Sequence, residues 1–152
     1  ASDVYKRQEQ ARENEVPEES IEKTPEEYQN VSLYDFVEYS KSMFEYWTED
    51  DFASSFRKML TIEQFRSEEM QGLYQQYLSS GPAAYVKDLF ESMGIAHAEE
   101  NAVRFYATMY FYYSVYDGAD DKEKVKNEFA SAIGSMAQEW IKQPKLTQIR
   151  KS

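Results

Sequence analysis

From Ser32 onward apolar side chains recur three and four residues apart, the spacing of one face of a helix that turns every 3.6 residues. Leu33, Phe36, Val37, Met43, Phe44 and Trp47 share one side, with Ser40 among them, and Ser32 with Asp35 forms a capping pair ahead of them, which predicts a strong first helix. Thr48 and Asp51 offer a second start signal; Phe52, Phe56, Met59 and Leu60 carry a buried stripe to Thr61, where the chain reopens with Gln64. Ser67 is placed to cap a third helix bearing Met70, Leu73, Tyr74, Tyr77 and Leu78, closed by Ser79, Ser80 and Gly81. Pro82 then starts a helix carrying Tyr85, Val86, Leu89, Phe90 and Met93, and Gly94 is positioned to end it as a left-handed cap.

The stretch from Glu99 to Tyr116 is the most aromatic of the chain: Phe105, Tyr106, Met109, Tyr112, Tyr113 and Tyr116 spread over more than one side, so this helix needs two neighbours. Asp117 and Gly118 make a turn, Asp120 or Asp121 caps the next helix, and Val125, Phe129, Ala132, Ile133, Met136 and Trp140 form its stripe out to Ile141. Small residues from Ala130 to Ala137 let another helix approach closely. The fold class expected is therefore all-α, a bundle of about six helices whose last two form an antiparallel hairpin with surplus apolar surface.

Outside this pattern lie two polar ends. Residues 1–31 carry nine acids against four bases, with Pro17 and Pro25 interrupting any helix, and read as an acidic lead-in or linker whose residues 1–8 have the look of an extraneous or fragment boundary. Thr24, Pro25, Glu26 and Glu27 give a short helical start signal within it. Residues 142–152 hold Lys142, Lys145, Arg150 and Lys151 without any acid, a solvated basic tail. Between them, residues 32–141 fit one domain, and the 152-residue chain is long enough to bury a single sizeable core.

Composition narrows the function classes. The absence of cysteine leaves no disulfide or thiolate metal site, and no run of 18 or more apolar residues or signal-peptide pattern calls for membrane insertion or secretion, so a cytoplasmic chain without membrane contact is expected. A formal charge of -11 opposes attraction to nucleic-acid phosphates. The single histidine, His97, cannot build a multi-His metal site and reads as a surface or capping residue. No GxxxxGK[ST], GxGxxG or HExxH pattern occurs, and Ser114, Ser131 and Ser135 sit in helix interiors without a base, so neither an enzyme nor a bound cofactor is expected.

What remains is an interior rich in rings and thioethers. Irregular aromatic and methionine side chains with tyrosine hydroxyls tend to leave cavities with polar handles, suited to a small hydrophobic or aromatic organic molecule. The candidates for such a ligand site are Trp47, Phe56, Met59, Tyr74, Tyr77, Tyr85, Phe105, Tyr106 and Met109.

The ordered series Leu60-Thr61, Glu63-Gln64-Phe65-Arg66, Leu73-Tyr74, Tyr77-Leu78 and Gly81-Pro82, followed by two long helices, resembles the effector-binding and dimerisation half of TetR-type transcriptional regulators, over roughly Ser32 to Ile141. The resemblance implies a homodimer in which the last two helices of each copy pair as a four-helix bundle, with Tyr112, Tyr116, Phe129, Ile133, Met136 and Trp140 at the interface. It further implies that DNA, as operator of a repressor, is read by an N-terminal helix-turn-helix module missing from this chain. The alternative from a different class is a stand-alone helical adaptor that binds another protein and has no ligand pocket.

Overall fold

The computed structural model describes residues 32–142, and the readings for residues 1–31 and 143–152 lie outside them. The described residues form six α-helices and no strand: α1 (Leu33–Glu49), α2 (Asp51–Glu63), α3 (Glu68–Leu78), α4 (Ser80–Ser92), α5 (Ala98–Gly118) and α6 (Lys122–Lys142).

Caps set most boundaries. The Ser32 hydroxyl accepts from the Asp35 N–H at 3.0 Å and the Ser67 hydroxyl from the Met70 N–H at 3.1 Å, as the spacing predicts. Between α1 and α2 the cap is Asp50 instead of Thr48. Asp50 stands in extended backbone, its N–H still bonds Tyr46 O, and its Oδ1 accepts from the Ala53 N–H at 2.8 Å, so one residue ends α1 and starts α2. Thr48 lies inside α1, where its hydroxyl donates to Phe44 O at 2.7 Å. Likewise Thr61 does not reopen the chain: its hydroxyl donates to Arg57 O at 2.8 Å and α2 runs on to Glu63.

At the α3–α4 corner the helix begins at Ser80, two residues before Pro82, which sits in the first turn where its missing N–H costs nothing. Here Gly81 is required by space: a Cβ on it would lie 2.2 Å from the Gln76 carbonyl oxygen. After α4, Gly94 adopts φ +73° and the Ile95 N–H bonds back to Phe90 O at 3.0 Å, a left-handed cap with its characteristic long return bond. His97 follows at φ 53°, exposed, as the residue before α5, while the buried Asn101 amide donates to Ala96 O at 2.7 Å and ties the connection down. Asp121 caps α6, accepting from the Lys124 N–H at 3.1 Å.

α5 is the hub. It packs against α4, α1 and α6, which explains apolar residues on several of its sides, and α1 in turn touches α2 and α6. One core cluster runs through the bundle: Phe36, Phe90, Phe105 and Trp140 form a knot of rings with centroids 4.7 to 6.4 Å apart. At the other end Phe44 lies between Phe129, at 4.3 Å, and Tyr113, at 5.6 Å. Such ring contacts add directional preference to the burial that dominates stability.

Phe129, Ile133, Trp140 and Tyr116 are thus covered by their own chain, with exposures of 1, 1, 5 and 7%. They hold α6 and α5 to the rest of the bundle and offer a second copy almost no surface; Tyr112 and Met136 are half-buried. The large apolar side chains exposed on α5 are others, Val103, Tyr110 and Phe111, which the helical spacing alone had not separated from the buried set.

Candidate functional site

Four helices leave a gap beside the ring knot. α1 contributes Phe36, Tyr39, Ser40, Met43 and Trp47, spaced three and four apart along one stripe; α5 contributes Phe105, Tyr106, Met109 and Tyr113 by the same rule. The end of α3 adds Gln76 and Tyr77, and the first turns of α4 add Gly81, Pro82, Tyr85 and Val86. Together they enclose a cavity of ≈ 210 Å³, partly open to solvent. Its placement follows from the α3–α4 corner: the tight approach at Gly81 brings α4 back sharply, so its first turn forms one wall.

The walls are apolar with hydroxyls held in fixed roles. Ser40 donates to Phe36 O at 2.7 Å, and Tyr106 donates to Leu78 O at 2.5 Å, pinning α5 to the end of α3. Burial pushes the Tyr106 phenol well above its ordinary range, reinforced by Tyr113, Tyr74 and Tyr110 and opposed by Arg57. Burial likewise raises Tyr113, against the lowering effect of Arg57. Both remain neutral hydroxyls at physiological pH.

Behind Tyr113 lies the one strongly buried charge among the described residues. Arg57, 5% exposed, sits 5.0 Å from the Tyr113 ring centroid, donates through Nε to Trp47 O at 3.0 Å and through Nη2 to both carboxylate oxygens of Asp117, at 2.7 and 2.9 Å. The guanidinium is balanced before it reaches the cavity and fixes Trp47 and Tyr113 from behind. A second, larger depression of ≈ 430 Å³ lies on the other side of that pair, between α2 and α5, lined by Lys58, Thr61, Ile62, Tyr110 and Ser114 as well as by Arg57, Tyr113 and Asp117. Most of its lining side chains are themselves exposed, so it is a surface cleft, whereas the aromatic cavity is cut into the core.

Of the nine residues expected at a ligand site, Trp47, Tyr77, Tyr85, Phe105, Tyr106 and Met109 line the aromatic cavity. Phe56, Met59 and Tyr74 do not. Phe56 is fully buried and braces Tyr77 edge-on at 5.5 Å, Met59 is half-buried on α2, and the Tyr74 hydroxyl is tied by a short hydrogen bond to the Tyr110 hydroxyl. Sequence reasoning missed Phe36, Ser40 and Met43, because the α1 stripe reads as plain core, and also Tyr39 beside that stripe, Gln76, Val86 and Tyr113. The polar Ser40 embedded in that stripe was the available signal, as the close-packed Gly81-Pro82 pair was for the α4 wall.

Among the described residues no three His, Cys, Asp or Glu side chains converge as a metal site, and no helix is long and apolar enough to cross a membrane. Comparison with protein-family profiles, with curated proteins and with solved structures returns no match to this chain.

Proposed function

We propose that this chain is a helical sensor domain that binds a small organic molecule in the aromatic cavity and converts its binding into a change of helix arrangement. The observation that carries the reading is the cavity itself, cut into the core beneath the α3–α4 corner and walled by three consecutive helices and α1. The cavity is partly open to solvent, but all its lining residues except Gln76 are buried or half-buried, and most are rings or thioethers with a few polar groups among them, a setting that suits a small organic guest.

The regulator class that the sequence resembles fits this reading. Of the stations that carry the resemblance, Leu60-Thr61 and Glu63 lie in the last turn of α2, Tyr74 and Tyr77 within α3, and Gly81-Pro82 in the first turn of α4. A ligand that favours one setting of α4 against α5 shifts the population of that setting, and in a dimer this alters the spacing of DNA-reading modules carried by the parent protein. A cytoplasmic repressor is the role that follows. Its dimer would pair an antiparallel α5–α6 hairpin with a second copy, and the surface available is the exposed stripe of Val103, Tyr110 and Phe111. The same stripe favours the rival reading, an adaptor that docks another protein there.

A thermal-shift screen of monocyclic and bicyclic aromatic compounds separates the two. The sensor reading expects saturable stabilisation that disappears when Met109→Trp fills the cavity. An adaptor gives no stabilised hit, and Phe111→Asp abolishes its association with a partner.

A further inference from the structure

The cavity walls specify the charge of the guest. None of the lining side chains is a carboxylate, ammonium, guanidinium or imidazole; the ionisable ones are tyrosines, and burial holds Tyr106 and Tyr113 in their neutral form. The buried charge that touches a lining ring, Arg57 against Tyr113, is already paired with Asp117, one nitrogen to both carboxylate oxygens, so that node presents almost no net charge to the cavity. Lys41 and Glu38 on α1 pair with each other at 3.0 Å outside the lining set, and Lys87 lies on the outer part of α4, 4.0 Å from Glu91. No counter-ion therefore waits for a charged guest.

Size adds a second limit. Pockets for drug-sized ligands run about 300–1,000 Å³, so ≈ 210 Å³ suits a guest of one or two fused rings. Flat rings match the walls. Phe36 and Phe105 stand 4.9 Å apart as one side, and Trp47, Tyr77 and Tyr85 supply further ring faces or edges. The exposed Gln76 amide on the lining supplies an uncharged polar group that can hydrogen-bond a single hydroxyl, ketone or ring N–H.

From this we infer that the site selects uncharged mono- or bicyclic aromatic molecules with one hydrogen-bonding group and rejects their ionised isosteres, anionic or cationic. The inference rests on the sensor reading and adds the charge rule to it. An ion entering these walls loses part of its hydration with no counter-charge to replace it, and although the open mouth leaves some water the penalty corresponds to roughly a 100-fold loss of affinity.

The test measures dissociation constants by calorimetry for matched sets: 2-naphthol, 2-naphthoate and 2-naphthylmethylammonium, and indole with tryptamine. The expected result is that 2-naphthol and indole bind, that both ionic families are weaker by about 100-fold or more, and that Gln76→Lys, at an exposed position, tightens the binding of 2-naphthoate itself and not that of 2-naphthylmethylammonium. Met43→Lys, half-buried at the cavity wall, repeats that change from a second direction. Equal or tighter binding of an ionic member, abolished by Met109→Trp, overturns the charge rule and leaves the sensor reading standing. Failure of every compound to bind overturns both.

Discussion

Arg57 joins three helices through one side chain, and its partner Asp117 is the point where that arrangement is most exposed to test. The pair lies at 2.7 Å with side-chain exposures of 7% and 27%, so solvent screens Asp117 only in part. Asp117→Ala strands a buried guanidinium, and because Asp117 keeps some water the expected loss is about 2–3 kcal/mol, below the usual cost of breaking a fully buried pair. Chemical denaturation reads it, and the double replacement Arg57→Met with Asp117→Ala recovers most of the loss, since no uncompensated charge remains. Sequence alone could not expose this pair: sixty residues separate the partners, and Asp117, expected in a turn with Gly118, lies instead in the last turn of α5. Gly81 is the opposite case, visible as a turn residue but for a different reason than its true one. Gly81→Ala forces a Cβ to 2.2 Å from the Gln76 carbonyl oxygen, and a loss of about 1–3 kcal/mol in a urea titration is expected, with weaker ligand binding because the α4 wall must move.

At the scale of the elements, α5 and α6 answer to high pH. The Tyr106 phenol is raised above its ordinary 10.0 by burial, and Lys126 on α6 is raised above its ordinary 10.5 by its hydrogen bond to Glu49, with Glu45 reinforcing it across to α1. Both folded values exceed the unfolded ones, so each group contributes stability that is complete below the unfolded value and is lost as pH climbs through it toward the folded one. The urea midpoint is therefore expected to be flat up to about pH 9.5 and to fall beyond about pH 10. Tyr106→Phe is less stable at neutral pH by about 1 kcal/mol, having lost its bond to Leu78 O, yet its midpoint declines less steeply in alkali. A wild-type midpoint that holds steady through that window would contradict the assignment. Helix positions were largely readable, because Ser32, Ser67, Gly94 and Asp121 cap where spacing placed them; the α1–α2 corner was misread because Asp50 outcompetes Thr48, whose hydroxyl bonds its own helix instead.

For the whole molecule, periodicity told which residues are apolar but not which neighbour covers them. Phe129, Ile133 and Trp140 carry a stripe that equally suits a partner or the chain's own core, and only the packing of α1 and α4 against them decides it. If the proposed dimer pairs through α5, its exposed apolar side chains Val103, Tyr110 and Phe111 are the ones to carry it, so Val103→Glu with Phe111→Asp is expected to lower the mass read by light scattering to that of a folded monomer; an unchanged mass contradicts pairing through this stripe. Five of the six expected residues that line the cavity were findable because rings and a methionine cluster on α3, α4 and α5; on α1 only Trp47 stood out, and the rest of that wall was hidden in an ordinary-looking core stripe. The chain's two tryptophans provide the most direct measurement of the central claim. Trp47 lines the cavity, while Trp140 stands behind Phe36 and Phe105, 6.1 and 6.2 Å from their ring centroids. In a ¹H–¹⁵N spectrum titrated with 2-naphthol, the indole N–H signal of Trp47 should move saturably, that of Trp140 much less, and neither should respond once Met109→Trp has closed the space. Two static indole signals, or shifts that persist in the filled variant, would contradict a guest in the cavity.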